Sequence, residues 1–361
     1  MGGPLHARSV TGKGTWGWSE PIIDVTTVGV VFFPLDRRLQ LSRHAWSPQT
    51  IQQAVRLAVE IPSHRRAAAA FSELSGVALS KSSLQRLCAE AGGRLVAEQA
   101  AEARAMVEVP KREEVVINRP QPTPDSAVMS VSADGVMVHV REEGWKEVKL
   151  ASISAVAQSE EGPVLTRHSY CAGLWEASLY GQHLWAEACR RGLEQAKTVV
   201  CVSDGAVWIW NLMFICFAWR IEILDWWHAV QRLWTIAHGC LAPAPAKAWV
   251  EAQQHHLAHT SLRHVFRQVR LLYPRGTPLP KEVREAVAYL FANRHRMRYR
   301  HFRQAGYPIG SGTVESACKV VVQQRMKQAG MRWSRSGAQA MLALRCALLS
   351  DRWHQLWPSL P

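Results

Sequence analysis

No two cysteines of this chain form a CxxC pair, although eight are present, at positions 88, 171, 189, 201, 216, 240, 318 and 346. That spacing excludes a zinc ribbon and a thioredoxin-like redox motif. It leaves the thiols as reduced, mostly buried side chains of a cytosolic protein. An apolar stretch long enough to cross a bilayer is also missing. The longest run, residues 205–219 (GAVWIWNLMFICFAW), has 15 residues and carries Asn211, short of the roughly 18 to 20 that a span requires. It reads as buried core. The opening MGGPLHARSVTGKG lacks the apolar centre of a signal peptide, so a cytoplasmic location with no membrane partner is expected. No segment recurs at a fixed period, which excludes a solenoid or propeller. Acidic side chains are scarce: 29 Asp and Glu face 43 Lys and Arg, for a net charge of +14. A surplus of that size favours a polyanionic partner.

The excess charge is not spread evenly. Residues 262–303 hold eleven Lys and Arg, from Arg263 to Arg303, against Glu282 and Glu285. Residues 311–335 hold five more basic side chains against Glu315 alone. Charge concentrated in this way fits a surface that tracks phosphates better than a merely solvated helix face. Lys319, Arg325, Lys327 and Arg332 are the candidate backbone contacts of the second segment.

Pattern along the chain suggests six regions. Residues 1–45 are irregular apart from a β-rich piece at 22–33. Residues 46–106 are helical: Ser47-Pro48 is an N-cap and N1 pair, a second helix after Ser63 ends at Gly76, and a third, capped by Ser80 or Ser82, ends at Gly92. Helix, glycine turn and capped helix form a helix-turn-helix outline, with Lys81, Gln85 and Arg86 exposed toward phosphates or base edges. Residues 107–126 form a linker containing Pro110, Pro120, Pro122 and Pro124. Residues 127–228 alternate strands and helices, with strands expected at 128–134, 135–140, 145–156, 198–203 and 220–224 and a helix at 175–192. Residues 229–305 are a basic helical stretch, and 306–361 carry two further helices separated near Gly330. The order is that of an α/β, ribonuclease-H-like catalytic domain with an all-α insertion.

Three carboxylates stand out within that order. Asp134 in VSADG and Asp204 in CVSDG each follow an apolar run and precede glycine, the pattern of a strand end and a turn. Glu315 in GSGTVES opens a helix. Each has an ordinary alternative: a turn residue, a helix cap and a first-turn glutamate. Together they supply the oxygen ligands that a pair of hard divalent cations needs, Mg²⁺ or Mn²⁺. Asp225 and His228 form an Asp-x-x-His step at a helix start, either a cap with a core histidine or a pair that steadies the metal site. Lys319 lies one turn after Glu315, as an ion-pair partner or as a backbone contact.

The segments SADG, GWKEVK, VSDGAVWIW, ILDWWHA and, most specifically, YPIGSGTVESACKVVVQQRMKQAGMRWS resemble bacterial insertion-sequence transposases of the DDE class. The likeness is to the Kra-type insertion-sequence family, akin to Mutator-like transposases, and covers roughly residues 34–357. It implies a catalytic triad at Asp134, Asp204 and Glu315 and the family's Asp-x-x-His motif at Asp225 and His228. Asp134 would bridge two ions, with Asp204 and Glu315 each holding one. It further implies double-stranded DNA as partner, both as terminal inverted repeats and as target, a homodimer or higher oligomer, and a nucleoid-associated location. Relatives often carry a cysteine-based zinc region upstream, whereas no cysteine precedes Cys88 here. Two other readings compete: a non-catalytic, truncated or domesticated transposase acting as a DNA-binding protein, and a ribonuclease-H-like nuclease without strand transfer.

Overall fold

A computed structural model describes residues 23–25, 30–32, 46–107, 126–274 and 276–357. Most of the irregular segment 1–45 and the proline-rich stretch 108–125 lie outside these residues. Within 1–45, β1 (Ile23–Val25) pairs antiparallel with β2 (Val30–Phe32).

Three helices follow. In α1 (Pro48–Glu60) the Ser47 hydroxyl accepts from the Thr50 N–H at 3.2 Å, as the Ser-Pro start implies. The next, α2 (His64–Ser75), ends on Gly76 at φ 70°, in the left-handed conformation glycine tolerates best. The third, α3, runs without a break over Lys81–Val107, so the end expected at Gly92 is not there. Gly92 instead permits close packing: a Cβ at this position would lie 2.6 Å from the Ala340 carbonyl oxygen. A glycine that permits helix contact leaves the same mark in the sequence as one that ends a helix.

The sheet has five strands in the order β5-β4-β3-β6-β7. Strands β3 (Val128–Val140), β4 (Gly144–Ser159) and β5 (Gly162–Gly173) are successively antiparallel. Helix α4 (Ala177–Arg190) leads to β6 (Thr198–Ser203), and α5 (Val207–Cys216) leads to β7 (Arg220–Leu224). Both β6 and β7 run parallel to β3. The fold is therefore α/β with a mixed sheet. Two strand expectations change. The chain does not turn at Asp134-Gly135, because Asp134 pairs with Leu150 and Gly135 with Lys149 inside one continuous ladder. The third antiparallel strand is 162–173, whose mixed polarity gave no clean alternation.

Alternation places the core on both faces of this sheet. Met129, Val131, Ala133, Val199 and Cys201 pack against α4 and α5. Val136, Val138, Val140 and Leu150 pack on the opposite face against α1 to α3 and the C-terminal helices. Residues of 46–106 thus share one hydrophobic cluster with this face of the sheet. Each fully buried Leu or Val there contributes about 1.5–3 kcal/mol. The apolar run 205–219 is only half core. Ile209, Trp210, Leu212 and Met213 are buried, while Val207, Phe214, Ile215 and Trp219 are exposed among the described residues.

After β7 come α6 (Trp226–His238), α7 (Pro243–His259), α8 (Leu262–Leu272), α9 (Lys281–Ala292) and α10 (Tyr299–Gln304), which form the inserted helical core. Pro243 takes the first helical position of α7, where its missing N–H costs nothing. The tail returns as α11 (Gly312–Ala317), widens to a π-helix at Cys318–Gln323, and ends in α12 (Arg335–Leu349). No helix among the described residues is long and apolar enough to cross a membrane.

Candidate metal-binding carboxylate site

Strand register brings the three aspartates into one row. Val131 pairs with Cys201 across the parallel β3–β6 ladder, and three residues further along both strands come Asp134 and Asp204. Ser203 pairs with Leu224, and the next residues are Asp204 and Asp225. The row lies where β6 and β7 end, at the carboxyl edge where open α/β sheets place their sites.

Each aspartate is held differently. Asp134 Oδ1 accepts from its own neighbour's N–H, Gly135, at 2.6 Å, and Oδ2 accepts from Cys318 Sγ at 3.4 Å. Burial raises the Asp134 carboxyl above the usual range; the Gly135 and Cys318 donors oppose the rise and the Asp204 charge adds to it. Asp204 Oδ1 accepts from the Ala206 N–H at 3.0 Å, and its carbonyl takes the Tyr289 hydroxyl from the helical insertion. Gly205 follows at φ 90°, and a Cβ there would lie 2.6 Å from that hydroxyl, so glycine is required on both counts.

Asp225 is fully buried, and its acceptor positions are filled. Oδ1 takes the His228 N–H and His228 Nδ1, both at 2.9 Å; Oδ2 takes the Ser311 N–H at 2.6 Å and the Ser311 hydroxyl at 2.9 Å. Burial alone would raise this carboxyl, but the His228 and Ser311 donors outweigh it and hold it below the usual range. The hydrogen bond to Asp225 raises His228 despite burial, and the charges of Asp225, Asp204 and Glu315 add to the rise.

Ligand atoms of Asp225, His228 and Glu315 lie within 4.8 Å of one another, the one such group among the described residues. The hydrogen bonding argues against Asp225 as a ligand within it, since a carboxylate has about four acceptor sites and these are taken. Asp225 instead holds its neighbours in place. It fixes the His228 ring with Nε2 turned away, and it anchors Ser311, from which the helix carrying exposed Glu315 departs. Asp134, Asp204 and Glu315 keep open lone pairs. They offer oxygen atoms, the ligand type that suits a hard divalent cation, with no Lys or Arg hydrogen-bonded to them among the described residues, but they do not form a group as close as that of Asp225, His228 and Glu315.

The other expected residues divide. Lys319 is exposed, one turn beyond Glu315. Lys327 lies 5.9 Å from the centre of the exposed Trp145 ring. Lys81, Gln85 and Arg332 line one cleft, and Arg86 is exposed beside it. Arg325 cannot be a DNA contact: it is 1% exposed, and its guanidinium donates to the Ala58 and Pro62 carbonyls and to His64. Sequence reasoning missed Cys318, Ser311 and Tyr289. Cys318 was within reach, three residues after Glu315 on the same helical face; Tyr289 leaves no local signal.

These features define an α/β protein with a carboxylate cluster at the carboxyl edge of its parallel strands. The chain belongs to the uncharacterised protein family UPF0236, whose family model matches residues 28–353. A comparison with curated proteins finds no match.

Proposed function

We propose that this chain is a DDE-class transposase that cleaves DNA at insertion-sequence ends and joins the freed 3′-hydroxyl to target DNA. The observation that carries the reading is that Asp134, Asp204 and Asp225 stand at one edge of three adjacent strands, and that a helix returning after the helical insertion brings Glu315 within 4.8 Å of Asp225 and His228. The strand order, with three antiparallel strands followed by two parallel ones beside the first, supports a ribonuclease-H-like fold. Asp134, Asp204 and Glu315 would hold two Mg²⁺ or Mn²⁺ ions, which when bound lower the pKa of an attacking hydroxyl and stabilise the leaving oxygen. The chain's own groups do the rest. Asp225 orients His228 so that Nε2 meets a phosphate oxygen of the scissile strand. The Cys318 thiol, pushed up by burial and by the Asp134 charge, stays protonated and fixes the Asp134 carboxylate. Basic side chains around Glu315 hold the DNA backbone.

Purified protein, Mg²⁺ and DNA bearing the flanking terminal repeats test this. The wild type is expected to nick the ends and to give joined product, while Asp134→Asn and Glu315→Gln bind the same DNA without cutting it. Cutting by either variant overturns the site. Cleavage without joined product marks a nuclease, and binding without cleavage by the wild type marks a non-catalytic DNA-binding protein.

A further inference from the structure

A second concave site, of about 310 Å³, lies where α2, α3, the β3–β4 hairpin and the tail meet. Its polar lining comes from Ser63, His64, Lys81, Gln85, Arg141 and Arg332, over a floor made by Arg325, and no carboxylate lines it. Lys81, Arg141 and Arg332 are exposed, and none makes an ion pair among the described residues. The nearby hairpin acid Glu143 is engaged elsewhere, with Arg335 at 2.6 Å.

The floor carries charge with no carboxylate hydrogen-bonded to it among the described residues. Arg325 donates to the Ala58 carbonyl at 2.7 Å, the Pro62 carbonyl at 3.2 Å and His64 Nε2 at 3.2 Å. Burial, then the Arg325 charge, hold His64 down to about 4, so it accepts as a neutral ring. Behind it, Arg345 is 4% exposed and donates to the Val59, Val320 and Val321 carbonyls. Carbonyls satisfy the hydrogen bonds of these two guanidinium groups but bring no counter-charge. The N-termini of α2, α3 and α12 also open onto the cleft through Ser63, Lys81 and Ser334, and none of the three has an acid in its first turn. Helix ends of that kind favour an anion.

We propose that this cleft seats a backbone phosphate of DNA, gripped jointly by Lys81, Arg141 and Arg332. The proposal rests on the reading of nucleic acid as substrate and adds an anchor separate from the carboxylate row. An extended polyanion fits better than a lone phosphate because the exposed cations continue past the rim, with Arg86 on α3 and Lys327 beside Trp145.

Fluorescence anisotropy on duplex DNA without divalent metal tests it, comparing the wild type with Lys81→Glu, Arg141→Glu, Arg332→Glu and a distant control, Lys247→Glu. Circular dichroism establishes that each variant is folded. Each cleft variant is expected to bind at least about tenfold more weakly, with the log K against log salt slope shallower by about one; the control stays within about twofold. Equal weakening in the control would mark net charge alone and overturn the cleft. Unchanged affinity in the cleft variants overturns it too. If inorganic phosphate then raises the wild-type melting temperature but not that of Arg332→Glu, the cleft is a free-phosphate site. A wild type that binds no DNA removes this proposal together with the nucleic-acid reading, whereas binding with unaffected variants removes the cleft alone.

Discussion

Asp225 shows how one buried side chain can organise a site without entering its chemistry. Its carboxylate links the start of α6, through His228, to the start of α11, through Ser311, 86 residues away from Asp225 in the chain. Replacing it by Asn keeps the shape but offers an NH₂ to two of the four donors. Loss of two charge-assisted hydrogen bonds predicts a destabilisation of about 3 kcal/mol, read as a lower urea midpoint for Asp225→Asn. Under the proposed function, metal-dependent cleavage should fall as well, because His228 and the helix bearing Glu315 lose their common anchor. A variant as stable as the wild type would refute the account. The placement of Asp204 at a strand end and of Glu315 on a helix was legible in the sequence, from the glycine after Asp204 and the glycine-rich turn before Glu315. Their supporting partners were not. Ser311 and Tyr289 reach Asp225 and Asp204 only across the folded insertion, and Arg325 has the sequence context of a surface cation yet is enclosed by α1, α2 and Trp333.

Elements with one clear period were readable, including α1 with its Ser-Pro start, β6 and β7. Elements whose pattern is set by tertiary contact were not. β3 continues through Asp134-Gly135 because β4 pairs with it on both sides of the dipeptide, and a glycine in a ladder looks like a glycine in a turn. α3 continues through Gly92-Gly93 for a similar reason, and the two glycines make opposite predictions. A Cβ on Gly92 would overlap the Ala340 backbone, whereas one on Gly93 meets nothing within 4 Å. Helix propensity alone favours alanine by about 1 kcal/mol at either position. Gly93→Ala should therefore stabilise by about that amount. Gly92→Ala should instead destabilise by ~1–3 kcal/mol, because a backbone carbonyl cannot step aside as a flexible side chain can. Urea unfolding of the two single variants tests this, and equal shifts of the same sign would show that α3 and α12 are not in the tight contact described.

At the scale of the whole molecule, the layers are tied by a buried ionic network as well as by apolar packing. Glu187 on α4 pairs with Arg190 on the same helix and with Arg352 near the C-terminus at 2.6 Å, and Arg190 also pairs with Glu102 on α3. The network thus fastens the helices on opposite faces of the sheet around its β5 edge. Burial pushes the Glu187 carboxyl up, but Arg190 and Arg352 outweigh it and hold the group below its usual 4.5. A carboxylate whose pKa is lower folded than unfolded stabilises the fold above its unfolded value, and that contribution is lost as pH falls through the folded value. Glu187→Gln removes the counter-charge of the half-buried Arg352 and leaves Arg190 with Glu102 alone, which at neutral pH costs up to about 3 kcal/mol. The stability gap between wild type and Glu187→Gln should therefore be full at pH 7 and close progressively below about 4.5, as protons neutralise the wild-type carboxylate that the variant lacks. Urea midpoints measured for both proteins from pH 7 downward follow that gap directly. A gap that stayed constant into acid would mean that Glu187 acts through shape and hydrogen bonding, with its charge contributing nothing to holding the layers together.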